Sequence, residues 1–185
     1  MKSYIFLLVT MLFIPLFAGG VNGQTQIEFF PGLQAVYIRP ELLTHDAATT
    51  YMANIRAWGA DEVFLEGGYG NRVLNHSRIF PVMDPDTDWM KELVEAARKQ
   101  GLKVHVWVKI CFWVHKSEAL DEFPLLMKHP EWIDLNRKGG MVSDEGTYEE
   151  KFFIFVNPAH PGVMEAELNY IKELYEYDID GISID

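Results

Sequence analysis

The stretch Tyr177-Asp-Ile-Asp-Gly-Ile-Ser-Ile-Asp185 decides the fold class. Its second half alternates isoleucine with small or polar residues, which predicts a β-strand because successive side chains point to opposite faces. The two isoleucines then share one face, whereas Gly181, Ser183 and Asp185 share the other. The strand therefore carries an acidic side chain, Asp185, at its carboxyl tip.

Upstream of this stretch, strand and helix patterns alternate along the chain. Strands are predicted at 33–39, 62–66, 103–108 and the terminal segment, and helices at 44–58, 89–100 and 161–176. Such alternation predicts an α/β fold with a parallel sheet. A complete (β/α)8 barrel needs about 250 residues, so 185 residues with four strands predict a TIM barrel truncated after about the fourth strand, at the point where its active site begins.

The segment 111–156 interrupts this alternation. It is far longer than the usual connection of about 2–6 residues between a strand and a helix, and long loops of this kind are usually functional. It is also rich in aromatic residues. We expect an irregular but ordered loop that lines a cleft.

Residues 1–23 have the pattern of a secretory signal peptide. Lys2 precedes an apolar run at 4–17, which is shorter than the roughly 20 residues of a membrane-spanning helix, and small residues precede Gln24. An uncleaved N-terminal anchor is the alternative. With cleavage, residues 24–185 form the N-terminal half of a barrel domain with no membrane span. Because no cysteine adjoins the junction to carry a lipid, we expect a protein that is secreted or in the periplasm or cell envelope.

Composition excludes several functional classes. The net charge of −11 argues against nucleic acid, whose phosphates would repel the protein. Cys111 is the only cysteine, so the fold has no internal disulfide, and a packed small hydrophobe is favoured over a nucleophile. Neither a His-x-x-x-His spacing nor a phosphate-binding loop is present. We therefore expect no metal and no cofactor.

The predicted strand tips converge on one hollow. With the aliphatic strand faces under the helices, the other face carries polar and aromatic side chains: Arg39, Glu66, His105, Trp107 and Asp185. Charged groups form strong hydrogen bonds with hydroxyl groups, and an aromatic ring stacks on a sugar. Paired carboxylates serve as acid and as nucleophile or base in glycoside hydrolysis.

Each of these residues also has a structural interpretation. His105 could be a hydrogen-bonded core residue, and Glu66 could form a structural ion pair with Arg39. Trp107 could belong to the core, because both faces of a barrel strand are buried. Asp185 has little use in packing, although it could cap a following helix.

Two further residues lie beside the predicted third helix and in the long segment. Asn157 could reach the barrel mouth and bind a sugar hydroxyl, or it could serve only the turn formed with its neighbouring prolines. Trp132 could stack on sugar, but a role as the buried anchor of the long segment is favoured.

Several segments in this order resemble the N-terminal half of the glycosyl-hydrolase-like family 10 domain, a group of secreted or envelope (β/α)8-barrel proteins. The matching segments are 61–66, 101–107, 129–132, 156–161 and 177–185. The resemblance implies a barrel that acts on or binds glycans, with the acidic residue of the fourth strand at Asp185. In the family the chain continues with a second acid and an aromatic-rich loop. Relatives more often carry a polar residue and an arginine at Glu66-Gly67-Gly68, which weakens a catalytic role for Glu66.

Together these features predict a glycoside hydrolase that acts on a cell-envelope or extracellular polysaccharide. Asp185 and Glu66 are the candidate catalytic carboxylates, and the candidate substrate-binding residues are Arg39, His105, Trp107 and Asn157. Retention and inversion both remain open, and the fragment by itself is expected to be inactive. A non-catalytic glycan-binding barrel is the alternative.

Overall fold

The computed structural model describes residues 35–38, 44–69, 72–115, 123–141 and 153–185. The elements follow in chain order: β1 (Ala35–Ile38), α1 (His45–Ala57), β2 (Glu62–Glu66), β3 (Gly68–Tyr69), β4 (Arg72–Val73), α2 (Trp89–Lys99), β5 (Lys103–Val108), β6 (Phe112–His115), α3 (Pro124–Lys128), a 3-10 turn (Pro130–Trp132), β7 (Phe153–Phe155), α4 (Pro161–Leu174) and β8 (Gly181–Ile184). Residues 1–23, with the expected signal peptide, and Arg39 lie outside the described residues.

A four-stranded parallel sheet with the order β1-β2-β5-β8 forms the centre of the fold. Each strand of this sheet pairs with the sheet strand that follows the next long helix, α1, α2 or α4, as the predicted alternation requires. The α/β class with a parallel sheet is confirmed, and the predicted bounds of β2 and β5 match those of the structure.

Local capping explains where the three long helices begin. The Thr44 side chain accepts a hydrogen bond from the Ala47 amide at 3.2 Å, and Asp88 accepts one from the Lys91 amide at 3.0 Å. His160 caps α4 through its Nδ1 atom, which accepts from the Gly162 amide at 3.1 Å. Each cap satisfies a backbone N–H that has no partner within its helix.

The sheet has one aliphatic face, as the alternation predicts. Val63, Leu65, Val104 and Val106 are all fully buried in the main core, which also contains the apolar residues of the helices. The pairing in register of Phe64 with His105 and of Glu66 with Trp107 puts the aromatic and polar positions on the opposite face.

The expectation of an irregular segment at 111–156 is wrong for much of its described part. Strands β6 and β7 form an antiparallel pair in which Phe112 lies opposite Phe155. The helix α3 and a 3-10 turn lie between them in sequence. This pairing joins residues far apart in the chain, so that local periodicity gives no signal of it.

Candidate functional site

The carboxyl ends of β2, β5 and β8 meet at one edge of the sheet. The Asp185 amide donates to the Val108 carbonyl at 2.9 Å, and the Asp185 carbonyl accepts from the Ile110 amide at 3.2 Å. These two bonds put Asp185 directly opposite Lys109 in the ladder. Side chains that are opposite in a parallel pair share a face, so Lys109 and Asp185 lie on the face that also bears Glu66.

Glu66 and Lys109 form a buried ion pair at this edge. Their side chains are only 5% and 7% exposed, and Lys109 Nζ contacts Glu66 Oε1. Lys109 Nζ also lies 4.5 Å from the centroid of the Trp107 ring, a cation–π distance. A buried charge is tolerated only when it is paired, so each partner explains the burial of the other.

Sequence reasoning missed Lys109. The alternation that puts His105 and Trp107 on the inner face continues for one more step to residue 109, and that was the available signal. Glu66 thus forms a structural ion pair with Lys109. The pair that was considered for Glu66, with Arg39, lies outside the described residues.

An aromatic stack crosses three strands below this edge. Tyr37 stacks on Phe64 with ring centroids 4.6 Å apart, and Phe64 stacks on His105 at 4.7 Å. Trp107 meets Tyr37 edge-on at 5.7 Å. Tyr37 is 41% exposed, so part of this aromatic surface is open to solvent. Sequence reasoning did not single out Tyr37 or Phe64.

His105 belongs to this stack rather than to the strand tips. Its Nε2 atom lies 3.2 Å from Glu62 Oε2, but the two atoms are not aligned for a hydrogen bond. Lys103 Nζ contacts the other oxygen of Glu62 at 3.1 Å. On the far side, a Cβ at Gly181 would lie only 3.0 Å from His105 Nδ1. These contacts show that His105 is packed into the sheet face through its ring, without the hydrogen bond that its structural interpretation included.

Asp185 differs from Glu66 in its surroundings. Asp185 is exposed. Within the described part of the chain, its carboxylate forms no hydrogen bond or ion pair. A carboxylate that is solvent-accessible and lies at the carboxyl edge of a parallel sheet is in the position where this architecture carries its chemistry.

Asn157 and Trp132 lie at the entry to α4. Asn157 Oδ1 accepts from the Ala159 amide at 2.9 Å, which is the turn chemistry that was one of its two interpretations. Trp132 is 7% exposed and stacks on His129 at 4.2 Å. A Cβ at Gly162 would lie 2.6 Å from Trp132 Cζ2. The expectation that Trp132 is a buried anchor is confirmed.

A second buried acid, Glu167 on α4, was not predicted. Trp113 Nε1 donates to Glu167 Oε1 at 2.6 Å, and burial raises the pKa of Glu167 to about 8 despite that hydrogen bond. Burial, together with the nearby Glu167, also raises the pKa of the Cys111 thiol. This shift disfavours the reactive thiolate and agrees with the interpretation of Cys111 as a packed residue.

Two other kinds of feature are absent from the described ranges. These ranges contain no group of three or more His, Cys, Asp or Glu side chains that could hold a metal ion. None of the described helices is both long and apolar enough to span a membrane.

Comparisons with known proteins agree with this architecture. The model of a family described as Glycosyl hydrolase-like 10 matches residues 41–185. No curated protein gives a significant match.

Solved structures share the fold at low sequence identity. An alpha-amylase from Lactobacillus plantarum matches 83% of this chain at 14% identity with a TM-score of 0.59. A maltogenic alpha-amylase from Thermotoga neapolitana matches 76% at 14% identity with a TM-score of 0.52. The chain covers 38% and 34% of the length of these two amylases. A hypothetical protein from Ruminiclostridium thermocellum matches 77% of this chain and 70% of its own length, at 12% identity with a TM-score of 0.53.

Proposed function

The chain belongs to the glycosyl hydrolase-like 10 family, and on that premise we propose that it hydrolyses O-glycosidic bonds of a cell-envelope or extracellular polysaccharide. The observation that carries the proposal is the position of Asp185. Its accessible carboxylate lies at the carboxyl edge of the parallel sheet, on the face that also bears an exposed aromatic surface.

We assign Asp185 the reacting role. In glycoside hydrolysis one carboxyl group protonates the leaving oxygen, and a second acts as nucleophile or as base for water. Asp185 lies at the carboxyl edge of the sheet, the position where this architecture carries its chemistry. Retention needs the two carboxyl groups about 5–5.5 Å apart and inversion about 6.5–9.5 Å, so the position of the second acid decides the stereochemistry.

Glu66 is the second candidate acid, but its surroundings favour another role. A general acid must reach the leaving oxygen, and the Glu66 carboxyl group is instead held in a buried contact with Lys109. A nucleophile must reach the sugar, and the Glu66 side chain is 5% exposed. We assign Glu66 the role of fixing Lys109 and, through it, the Trp107 ring.

The aromatic surface supports a sugar as the ligand. Tyr37 is partly exposed beside Trp107, and such rings stack on the apolar face of a pyranose. Lys109 lies over the Trp107 ring at 4.5 Å, and Tyr37 meets the same ring edge-on, so the two aromatic residues form one surface to which we assign the sugar. Arg39 and Asn157 remain candidate ligands of sugar hydroxyls, and the pattern of residues 1–23 supports an extracytoplasmic location.

A non-catalytic glycan-binding barrel is the second candidate. The burial of Glu66 favours this second function. Of the two candidate carboxylates, which both lie in the described part of the chain, only that of Asp185 is then accessible. The two functions predict different results when Asp185 is neutralised.

The test uses Asp185→Asn in the full-length protein, with release of reducing ends and retention on insoluble polysaccharide as the two measurements. A hydrolase loses most of its turnover and keeps its binding, because Asn preserves shape and removes charge. Glu95→Gln, which neutralises an exposed acid on the outer face of α2, is the matched control. Unchanged turnover in Asp185→Asn would contradict the proposal, and binding without turnover in the wild type would favour the second candidate.

A further inference from the structure

Glu167 is a buried acid that the proposed chemistry does not use. It lies on the inner side of α4 and is 6% exposed. Its Oε1 atom accepts from the indole N–H of Trp113 at 2.6 Å. Its Oε2 atom is buried and has no hydrogen-bond partner among the described residues. A carboxylate in this position would leave half of its charge without compensation.

The surroundings of Glu167 favour its neutral form. Among the described residues, the titratable groups that interact with it are the Cys111 thiol, which lies between β5 and β6, and the Tyr170 hydroxyl on α4. Neither a thiol nor a phenol can carry a positive charge, and burial, with the added effect of Glu167, raises the pKa of both groups. Among the described residues, no cation forms an ion pair with Glu167. Desolvation without a counter-charge accounts for its raised pKa of about 8, since burial disfavours the charged form of an acid.

A short series of hydrogen bonds joins this acid to the strand tip. The Trp113 indole N–H that donates to Glu167 also approaches the Ile110 carbonyl at 3.2 Å. The amide of the same Ile110 donates to the Asp185 carbonyl at 3.2 Å. Ile110 therefore has a partner on each side, with Trp113 on one and Asp185 on the other.

Trp113 is the central member of this series. It is fully buried, and its ring packs against Phe80 at 5.0 Å and Trp132 at 6.0 Å. These edge-to-face contacts hold the ring in place, and the hydrogen bond with Glu167 orients its N–H. Without the carboxyl group, the indole would retain only the longer and weaker contact with Ile110.

We propose that Glu167, in its protonated form, is a positioning residue for Asp185 and acts through Trp113 and Ile110. The proposal deepens the proposed function, and it rests on that function only for the importance of Asp185. This series of contacts connects Glu167 in the helix layer to Asp185 at the reacting edge of the sheet. The contacts within the site do not reveal that connection.

The proposal has a defined pH dependence. If local opening of the Trp113–Ile110 contact exposes Glu167 to water, the open form binds the proton near the ordinary pKa of 4.5 and the closed form near 8. The closed form then holds more protons between these two values, so opening becomes about tenfold more favourable for each pH unit across that window. Above about pH 8 the dependence levels off.

The experiment follows two signals by NMR in the full-length protein between pH 5 and 9. The first is the indole N–H resonance of Trp113, and the second is the hydrogen-exchange protection of the Ile110 amide, corrected for intrinsic exchange. In the wild type, we expect the indole resonance to titrate near pH 8 and the protection to fall with pH up to that point. In Glu167→Gln, which mimics the neutral acid, both signals should stay constant, and in Glu95→Gln both should behave as in the wild type.

Two outcomes would overturn the proposal, and each is separable from a failure of the proposed function. An indole resonance that does not change with pH in the wild type would show that Glu167 does not titrate in contact with Trp113. Equal pH dependence of Ile110 protection in the wild type and Glu167→Gln would show that the acid does not act on the strand tip. Both readouts are independent of turnover, so an inactive or non-hydrolytic protein still decides them.

Discussion

The Glu66–Lys109 ion pair provides the sharpest test of the buried charges. Lys109→Met keeps the length of the side chain and removes the charge, which leaves the Glu66 carboxylate 5% exposed and without that ammonium. Removal of one partner from a buried pair costs about 3–5 kcal/mol, mainly because the remaining charge stays desolvated. We expect a loss of this size in the free energy of unfolding for Lys109→Met, and a similar loss for Glu66→Gln.

The double variant Glu66→Gln/Lys109→Met removes both charges together. Replacement of a buried pair by uncharged groups of similar volume is often neutral or stabilising. The double variant should therefore be more stable than either single variant, with a coupling energy of at least about 2 kcal/mol. Urea unfolding of the full-length protein at pH 7, followed by fluorescence and fitted with a common slope, measures all four members of the cycle.

A second pair in the same sheet supplies the control. Lys103 contacts Glu62 at 3.1 Å, but the Lys103 side chain is 60% exposed. Exposed pairs contribute about 0–1 kcal/mol, so Lys103→Met should cost less than 1 kcal/mol. If Lys109→Met costs no more than Lys103→Met, or if the effects of the two single variants add in the double variant, the assignment of Glu66 as the charge partner of Lys109 is refuted.

Three further predictions concern the helix layer. The unfolded chain loses the Glu167 proton near pH 4.5, and the folded protein loses it near pH 8. The free energy of unfolding should therefore fall by about 1.4 kcal/mol for each pH unit across that window. Glu167→Gln should abolish this slope when stability is measured by urea unfolding. Gly162→Ala should destabilise the protein by about 1–3 kcal/mol, because the new Cβ would lie 2.6 Å from Trp132 Cζ2 in a packed site. A gain in stability, as is usual for Gly→Ala in a helix, would contradict that contact. Tyr170→Phe should lower the free energy of unfolding by about 1 kcal/mol. The buried Tyr170 hydroxyl donates to the Gly67 carbonyl at 2.9 Å, and in the variant that carbonyl keeps only its hydrogen bond from the Leu74 amide at 3.3 Å. An unchanged thermal melt would argue against the Tyr170–Gly67 hydrogen bond.

Much of the sheet could be predicted because its signals are local. The alternation at 103–108 specifies which side chains lie on each face, and the structure has the same bounds for β5. Thr44 and Asp88 cap helices at the starts that the helical patterns at 44–58 and 89–100 predict. Such patterns depend on neighbouring residues in the chain, so they are visible without any knowledge of the packing.

The site was only partly predictable, because its decisive contacts are not local. Sequence reasoning put Glu66 on the reacting edge, but Lys109 lies 43 positions further along the chain. Trp113 and Glu167 are separated by 54 positions, and neither has a neighbour that would indicate the other. The antiparallel pairing of β6 with β7 was missed for the same reason.

The sequence by itself determined the order of the four sheet strands and the three long helices, the apolar face of the sheet and the position of Asp185 at a strand tip. These properties follow from side-chain alternation, helical periodicity and capping, which act over a few residues. Only the tertiary structure decided which acids are accessible and which are buried. Glu66 and Glu167 are the same residue type, yet one is buried against an ammonium group and the other against an indole. Packing sets the local dielectric and the partner of each carboxyl group, and these two factors decide whether it carries a charge.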